Sequence, residues 1–388
     1  MTAHIIYYNY LTPDGKAMSI GGIQTYITNL VPVLTELGYA VDIYQRADCG
    51  FETTSGGVRI HGICYREQTW GSAVARLLID AVLAREIAPG DIIIYGCETC
   101  ITRRVPYPTI AIQHGIFWDV EDCTPMSSIS YVRKTLRRLQ TSWEVIRRVS
   151  KVDRLVCVDN NFVNWHRAVC VNTGVRHIVI PNFSQIPHEP PPKDGHSAIR
   201  IIFARRFFIH RGTRLFTEAM EKILAEYTDV EVTIAGDGPD SPYMHRHLDH
   251  FGNVRFIQYR SNESLDIHHD QDIAVIPTTG SEGTSLSLLE AMASGCAVIC
   301  TNVGGMTNIV IDHYNGLMIS PAADALHRAL REVMDDSRLR RMLQNNAYET
   351  TRRAFSIDIW QQRWKGVIAS LSPRKSNPSQ PTTYSHYQ

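Results

Sequence analysis

GSEGTSLSLLEAMASGCAVICTNVGG, which runs from Gly280 to Gly305, is the stretch of sequence that decides the fold. Its glycine-rich loop carries the carboxylate of Glu282, and an apolar helical repeat with a second carboxylate, Glu290, follows the loop. Gly295 predicts the end of this helix, and residues 297–300 predict a short buried strand. Free backbone N–H groups before a helix favour an anionic ligand, whereas the two carboxylates favour neutral hydroxyl groups or developing positive charge. This combination suggests a nucleotide-linked sugar as the ligand.

The length and composition of the chain indicate a two-domain cytoplasmic protein. At 388 residues it is longer than a typical single domain, and no apolar run approaches the ~20 residues of a membrane span. The N-terminus lacks the flanks of a signal peptide. Lys and Arg together number 39, as do Asp and Glu, so the global charge gives no argument for nucleic acid binding.

Nine scattered cysteines predict reduced, buried thiols rather than a disulfide framework. Cys97 and Cys100 form a single C-x-x-C pattern. Two interpretations of it are open, a zinc or redox pair and a plain strand end with its loop.

Short apolar runs alternate with helical repeats along most of the chain. This alternation predicts the α/β class, with parallel sheets in two similar units that face each other across a cleft. A proline-rich segment without apolar periodicity separates the units and predicts a linker. The predicted organisation is a first domain over 1–182, a linker over 183–198, a second domain over 199–355, a C-terminal helix over 356–372 that packs back on the first domain, and a disordered tail over 373–388.

The second unit begins with a basic loop, ARRFFIHRG, from Ala204 to Gly212. Two or three guanidinium groups before a helix N-terminus are suited to a diphosphate and to the negative charge of a departing nucleotide. A solvated basic loop is the alternative interpretation. The glutamate loop downstream favours phosphate binding.

Five motifs, in order and with matching spacing, resemble the C-terminal half of the family 4 retaining glycosyltransferases, which have the GT-B fold. They are Arg206 to Gly212, IAGDGPD from Ile234 to Asp240, the E-x7-E pair Glu282 and Glu290, Gly304-Gly305, and Asn315 to Leu317. The resemblance implies two Rossmann-like domains and transfer of a hexosyl or deoxyhexosyl group from a nucleoside diphosphate sugar to a hydroxyl acceptor. The nucleotide sugar is a substrate and no cofactor is implied, while UDP, GDP and dTDP all stay open as the nucleotide.

The family's donor-site roles carry over to matching positions of the second domain. Arg206 and Arg211 match the basic pair on the diphosphate, with Arg211 in place of the commoner lysine. The resemblance implies that Glu290 binds the ribose hydroxyls and that Glu282 binds hydroxyls of the transferred sugar. Further implied donor contacts are the backbone N–H groups of Gly283, Thr284 and Ser285, and Tyr259 near the base.

The first domain resembles the acceptor side of the same family. Gly21 and Gly22 match the glycine pair whose backbone approaches the diphosphate across the cleft. His114 follows a strand, as does the family's histidine near the reacting sugar, and is the candidate for contact with the donor sugar or leaving group. Asp119 resembles a position that touches the acceptor.

Retention of configuration by double displacement needs a positioned carboxylate nucleophile, and neither half supplies an obvious one. The resemblance therefore favours metal-independent, same-face substitution, in which the departing phosphate takes the acceptor's proton. It implies a setting in bacterial cell-surface polysaccharide or lipopolysaccharide synthesis. Two alternatives stay open, a nucleotide-sugar epimerase on the same fold and a catalytically silent nucleotide-binding subunit.

The pattern Asp270-Gln271-Asp272 resembles the D-x-D metal motif of the other major glycosyltransferase fold, with His268 and His269 beside it. It precedes an apolar strand instead of ending one. We therefore interpret it as a loop and predict no metal site.

A basic amphipathic helix is predicted over residues 132–154. Its apolar residues at helical spacing are Val132, Leu136, Leu139, Trp143 and Ile146. A packed helix with a solvated outer face is one interpretation, and docking on an anionic membrane surface at the inner face of the cell membrane is the other.

Overall fold

The computed structural model describes residues 1–19, 21–65, 71–118, 128–170, 175–193, 197–260, 263–280 and 282–371, without the side chains of residues 128 and 129. Within these ranges the chain forms two α/β units, each built on one sheet. The predicted fold class, two parallel-sheet domains, is confirmed.

The first unit is built on eight described strands. They are β1 (Thr2–Ile6), β2 (Ala40–Ala47), β3 (Phe51–Ser55), β4 (Val58–Cys64), β5 (Ile92–Tyr95), β6 (Thr109–Gln113), β7 (Arg154–Cys157) and β8 (Arg176–Val179). Their order in the sheet is β3-β4-β2-β1-β5-β6-β7-β8, and every pair is parallel except β3 with β4. The helices are α1 (Gly22–Glu36), α2 (Gly71–Leu83), α3 (Ser128–Val149) and α4 (Asn160–Val169).

The second unit has six described strands, all parallel, in the order β11-β10-β9-β12-β13-β14. The strands are β9 (Ile199–Ala204), β10 (Val230–Ala235), β11 (Val254–Ile257), β12 (Ile273–Ile276), β13 (Ala297–Thr301) and β14 (Leu317–Ile319). Its helices are α5 (Thr213–Glu226), α6 (Ser241–Leu248), α7 (Ser264–His269), α8 (Leu286–Ala293), α9 (Ala323–Asp335) and α10 (Ser337–Ala354), and the last helix of the chain is α11 (Ile357–Ala369).

Central strands of both sheets are buried along their whole length because helices cover both faces of a parallel sheet. All five residues of β6 and all four of β12 are buried. The carboxyl ends of these two strands meet across the cleft, since a Cβ atom added at Gly115, after β6, would lie 2.8 Å from the backbone nitrogen of Gly283, after β12. Loops at this edge therefore form the site.

The last helix returns to the first unit. Trp360 and Trp364 of α11 are buried in the core of that unit, and the indole N–H of Trp364 donates to the hydroxyl of Tyr26 at 2.9 Å. Two backbone hydrogen bonds hold the crossing chains together, from Ser184 N–H to the carbonyl of Phe355 and from Ile357 N–H to the carbonyl of Ser184.

Several strand and helix bounds can be compared with the sequence prediction. The sequence predicts strands over 109–113 and 230–235, and β6 and β10 have these bounds. The sequence predicts a first strand from His4 to Tyr10, whereas β1 ends at Ile6. Tyr7 and Tyr8 still share backbone hydrogen bonds with β2, and beyond them Leu11 N–H donates to the side chain of Gln45 at 2.5 Å instead of to a strand. Helix α1 continues through Pro32, where the sequence predicts a kink.

Candidate active site

A cavity of about 590 Å³ lies between the two units. Gly21, at the N-terminus of α1, lines it from the first unit, and Glu290 on α8 lines it from the second. A Cβ atom added at the neighbouring Gly22 would lie 3.5 Å from Leu286. The structure therefore brings the predicted glycine pair and the second glutamate of the E-x7-E pair to one cleft.

Glycines let the backbones of the two units touch beside this cavity. Gly115 has a φ of +106°, and a Cβ atom at Gly283 would lie 2.6 Å from the carbonyl oxygen of His114. No larger residue fits at either position without moving the two loops apart. The loop of the first glutamate is thus seated directly against the loop of the predicted histidine.

Glu282 is the centre of a buried ionic cluster. Its Oε2 accepts a hydrogen bond from Arg205 at 2.6 Å and one from Thr278 at 3.1 Å, and it also pairs with Arg211. Burial by itself would raise the pKa of Glu282, but Arg211 and Arg205 outweigh it and lower the pKa to about 2. Glu282 is therefore a carboxylate at every physiological pH.

Arg205 is a site residue that the sequence interpretation missed. Its side chain is 5% exposed, and its guanidinium group contacts Thr278 as well as Glu282. Arg206, the predicted partner of Arg211, is exposed, and its guanidinium carbon lies 5.7 Å from the centre of the Phe208 ring. The signal for Arg205 was present in the sequence, since it directly follows a buried strand that ends at the cleft. The diphosphate role of Arg206 stays a prediction.

The basic loop leads into the N-terminus of α5, which lies beside the ionic cluster of Glu282. Gly212, with a φ of +83°, precedes α5, and a Cβ atom there would collide with the carbonyl oxygen of Pro277 at the end of β12. This close approach brings Arg211 to Glu282 and places the positive end of the α5 dipole at the same edge of the sheet.

The two glutamates of the E-x7-E pair lie in opposite electrostatic environments. Glu290 accepts a hydrogen bond from the hydroxyl of Ser264 at 2.6 Å, and its burial raises its pKa. Burial and the charge of Glu290 raise the pKa of Tyr259 to about 12, so the predicted base contact lies near the predicted ribose contact. An acceptor carboxylate held by a neutral hydroxyl donor is suited to hydrogen bonding with ligand hydroxyl groups.

The side chains of Thr284 and Ser285 are already engaged in the protein. The hydroxyl of Thr284 donates to the carbonyl of Val158 in the first unit, and Ser285 caps α8 by accepting from Leu288 N–H at 3.4 Å. Only their backbone N–H groups are left for the predicted contact with sugar or phosphate.

His114 is neutral and fixed in orientation. Its Nε2–H donates to the carbonyl of Gly96 at 2.9 Å, and its ring lies edge-on to Tyr26 at 5.3 Å between centroids. Burial lowers its pKa to about 4. Nδ1 therefore carries a lone pair that can accept a hydrogen bond but holds no proton to give. Asp119, the predicted acceptor contact, lies outside the described residues.

The residues weighed as metal ligands have structural partners. His268 donates to the carbonyl of Ser264 at 2.6 Å, and Asp272 accepts from Arg200 N–H at 2.9 Å. The sulfur atoms of Cys97 and Cys100 lie 3.4 Å apart as buried thiols. Over the described ranges, no group of three or more His, Cys, Asp or Glu side chains is arranged to hold a metal ion.

Helix α3 exposes most of its predicted apolar stripe. Val145 and Val149 are its buried apolar residues. The exposed large apolar residues, each between 56% and 63% exposed, are Tyr131, Val132, Leu136, Leu139 and Trp143. In the part of the chain that the structure describes, no helix has the length and apolar character to cross a membrane.

Comparison with known proteins finds similarity to glycosyltransferases. Residues 189–350 match the family model described as glycosyl transferases group 1. The chain is 27% identical over 337 residues to the phosphatidyl-myo-inositol mannosyltransferase of Mycolicibacterium smegmatis, covering 82% of this chain and 83% of that protein. It is 23% identical over 242 residues to an exopolysaccharide phosphotransferase of Streptomyces coelicolor, covering 61% of this chain but only 25% of that protein's length.

Among solved structures, the sucrose-phosphate synthase of Thermosynechococcus elongatus has a TM-score of 0.74 at 17% identity, covering 95% of this chain and 100% of that one. This likeness confirms the GT-B fold that the sequence predicted. The match to glycosyl transferases group 1 supports the prediction of a glycosyltransferase. Membership of family 4 within that group stays a prediction.

Proposed function

We propose that this protein is a retaining glycosyltransferase that moves a sugar from a nucleoside diphosphate sugar to a hydroxyl acceptor. The observation that carries the proposal is the cluster of Arg205, Arg211 and Glu282 at the N-terminus of α5. Two cations and a helix dipole meet one carboxylate there, which leaves net positive charge for a diphosphate.

Each part of the donor then has a matching group. Arg211 and Arg206 bind the diphosphate, and Glu290 accepts hydrogen bonds from the ribose hydroxyls. Glu282, held through Oε2, accepts from sugar hydroxyls with its other oxygen. The neutral Nδ1 of His114 accepts a hydrogen bond from a further hydroxyl, because its other nitrogen is bonded to Gly96.

The chemistry that fits this arrangement is same-face substitution without a metal. The acceptor oxygen bonds to the anomeric carbon as the bond from that carbon to the phosphate oxygen breaks, and the acceptor's proton passes to the departing phosphate. Glu282 positions the transferred sugar and stabilises it. It is a poor nucleophile, because its carboxylate is paired with two guanidinium groups. Arg211 and the α5 dipole stabilise the phosphate charge as it develops.

The test is to incubate the protein with UDP-, GDP- and dTDP-hexoses in the absence of an acceptor. Slow release of free sugar with retained configuration supports transfer, while conversion to an isomeric donor would favour an epimerase and contradict the proposal. No reaction with any donor, together with tight nucleotide binding, would favour a silent subunit. Arg211→Ala should abolish hydrolysis, and Arg214→Ala on the exposed side of α5 is its matched control.

The proposal includes a peripheral position at the inner face of the bacterial membrane, where surface polysaccharides or their lipid carriers are glycosylated. The support is α3, whose exposed apolar stripe lies beside six basic residues and one acid. The bases are Arg133, Lys134, Arg137, Arg138, Arg147 and Arg148. Apolar side chains that insert between lipid headgroups, with bases that attract anionic lipid, are typical of interfacial helices.

Liposome flotation tests this position. Vesicles with anionic phosphatidylglycerol should bind the protein at low salt, and Leu136→Gln with Leu139→Gln should release it. Ile311→Gln with Met342→Gln removes exposed apolar side chains elsewhere and should leave binding unchanged. Equal flotation of both double variants would contradict the role of α3, as would absence of binding by the unmodified chain.

A further inference from the structure

The second unit contacts the first at the corner between β7 and α4, residues 158–161. Two separate segments of the second unit reach it, the loop after Glu282 and a short 3-10 helix over Gly304–Asn308. Neither contact involves the predicted donor-binding atoms. The predicted donor site therefore does not account for these two contacts at the corner.

Thr284 makes the first of these contacts. Its hydroxyl donates to the carbonyl of Val158, and its own carbonyl accepts from the side-chain amide of Asn182 at 2.5 Å. Thr284 is 2% exposed, and its bond to Val158 is shielded from water. The residue two positions away is Glu282, and the loop between them has little freedom to move while these bonds hold.

Asn308 makes the second of these contacts. Its Oδ1 accepts from the backbone N–H of Asn160 at 2.8 Å, and its Nδ2 donates to the side chain of Asn161 at 3.3 Å. Asn160 is the first residue of α4, whose N-cap Asp159 accepts from Phe162 N–H, so Asn308 satisfies a further backbone N–H of the helix N-terminus from the opposite unit. At the other end of the 3-10 helix, Gly305 N–H donates to the carbonyl of Glu282 at 2.8 Å.

A continuous chain of short contacts thus runs from α4 through Asn308 and Gly305 to Glu282. We propose that Asn308 is a positioning residue, which fixes the Glu282 loop against the arginine cluster only when the two units are closed. Closure of the cleft and assembly of the site are then one event. The effect on turnover rests on the proposed function, whereas the mechanical link does not.

Hydrogen exchange of the full-length protein tests the link without any activity. Asn308→Ala removes both side-chain bonds, and the amides of Asn160 and Gly305, which donate to Asn308 and to Glu282, should exchange about tenfold faster than in the unmodified chain. Asn308→Asp keeps the acceptor for Asn160 N–H and should restore most of the protection. Asn302→Ala is the matched control, because that exposed residue bonds to Ile319 through its backbone.

Unchanged exchange at Gly305 in Asn308→Ala would overturn the proposal, as would equal loss in Asn302→Ala. Where donor hydrolysis is measurable, Asn308→Ala should lower kcat about tenfold with little change in KM, since binding groups stay intact and only their alignment is lost. A changed KM with unchanged kcat would also overturn it. Absence of donor hydrolysis in the unmodified chain would count against the proposed function alone.

Discussion

Replacing Glu282 by glutamine should destabilise the second unit far more than the same change at Glu290. Glu282→Gln removes the charge that neutralises Arg205 and Arg211 while it keeps the size of the side chain. Arg205 is 5% exposed and would be left as a buried cation without a counter-ion. Among the described residues Glu290 has no such partner, and its raised pKa means that burial already opposes its charge.

The size of the effect follows from the pKa of Glu282. Its fall from 4.5 to about 2 on folding corresponds to roughly 3 kcal/mol of stability at neutral pH, at about 1.4 kcal/mol per unit. For a unit of this size that free energy corresponds to a drop in Tm of roughly 6–12 °C. Because the folded pKa is the lower one, this stability is complete above pH 4.5 and disappears as the pH falls towards 2.

Differential scanning calorimetry is the appropriate assay, since none of the six tryptophans lies within residues 199–355 and fluorescence would report the first unit. We expect Glu282→Gln to lower the Tm of the second unit at pH 7 and the gap from the unmodified chain to narrow below pH 4.5. Glu290→Gln should leave the Tm unchanged or slightly higher. A Glu282→Gln transition within 2 °C of the unmodified chain at pH 7 would refute the reasoning, and so would an equal loss in Glu290→Gln.

Three further predictions concern the contacts around the cleft. Gly115→Ala should slow donor hydrolysis about 100-fold by pushing the Gly283 loop away, whereas Gly38→Ala, with positive φ but open space around it, should leave the rate unchanged. Trp364→Phe should lower the free energy of unfolding by about 2 kcal/mol, because the buried hydroxyl of Tyr26 loses the indole N–H that donates to it. Urea unfolding followed by tryptophan fluorescence measures this loss. Since burial lowers the pKa of His114 to about 4, the unmodified chain should lose stability relative to His114→Asn as the pH falls from 6.5 to 4, and a parallel decline of both melting curves would contradict this.

Local sequence was sufficient for the architecture and for part of the site. The run Ile273–Ile276 is apolar without interruption, and only a strand covered on both faces buries every residue of such a run. The spacing of Glu282 and Glu290 likewise follows from one loop and one helix, so both residues could be selected before any tertiary contact was known.

The remaining features of the site and of the packing depend on contacts between segments that are distant in sequence. Arg205 and Arg206 are neighbours in the loop that follows β9, and only the position of Glu282 shows which one meets the cluster. Helical spacing in α3 identified an apolar stripe without revealing that Val145 and Val149, instead of that stripe, face the core. Periodicity is a property of neighbouring residues and is readable from the sequence. The partner that covers a face, or pairs with a charge, is brought there by chain far away, and tertiary structure alone determines it.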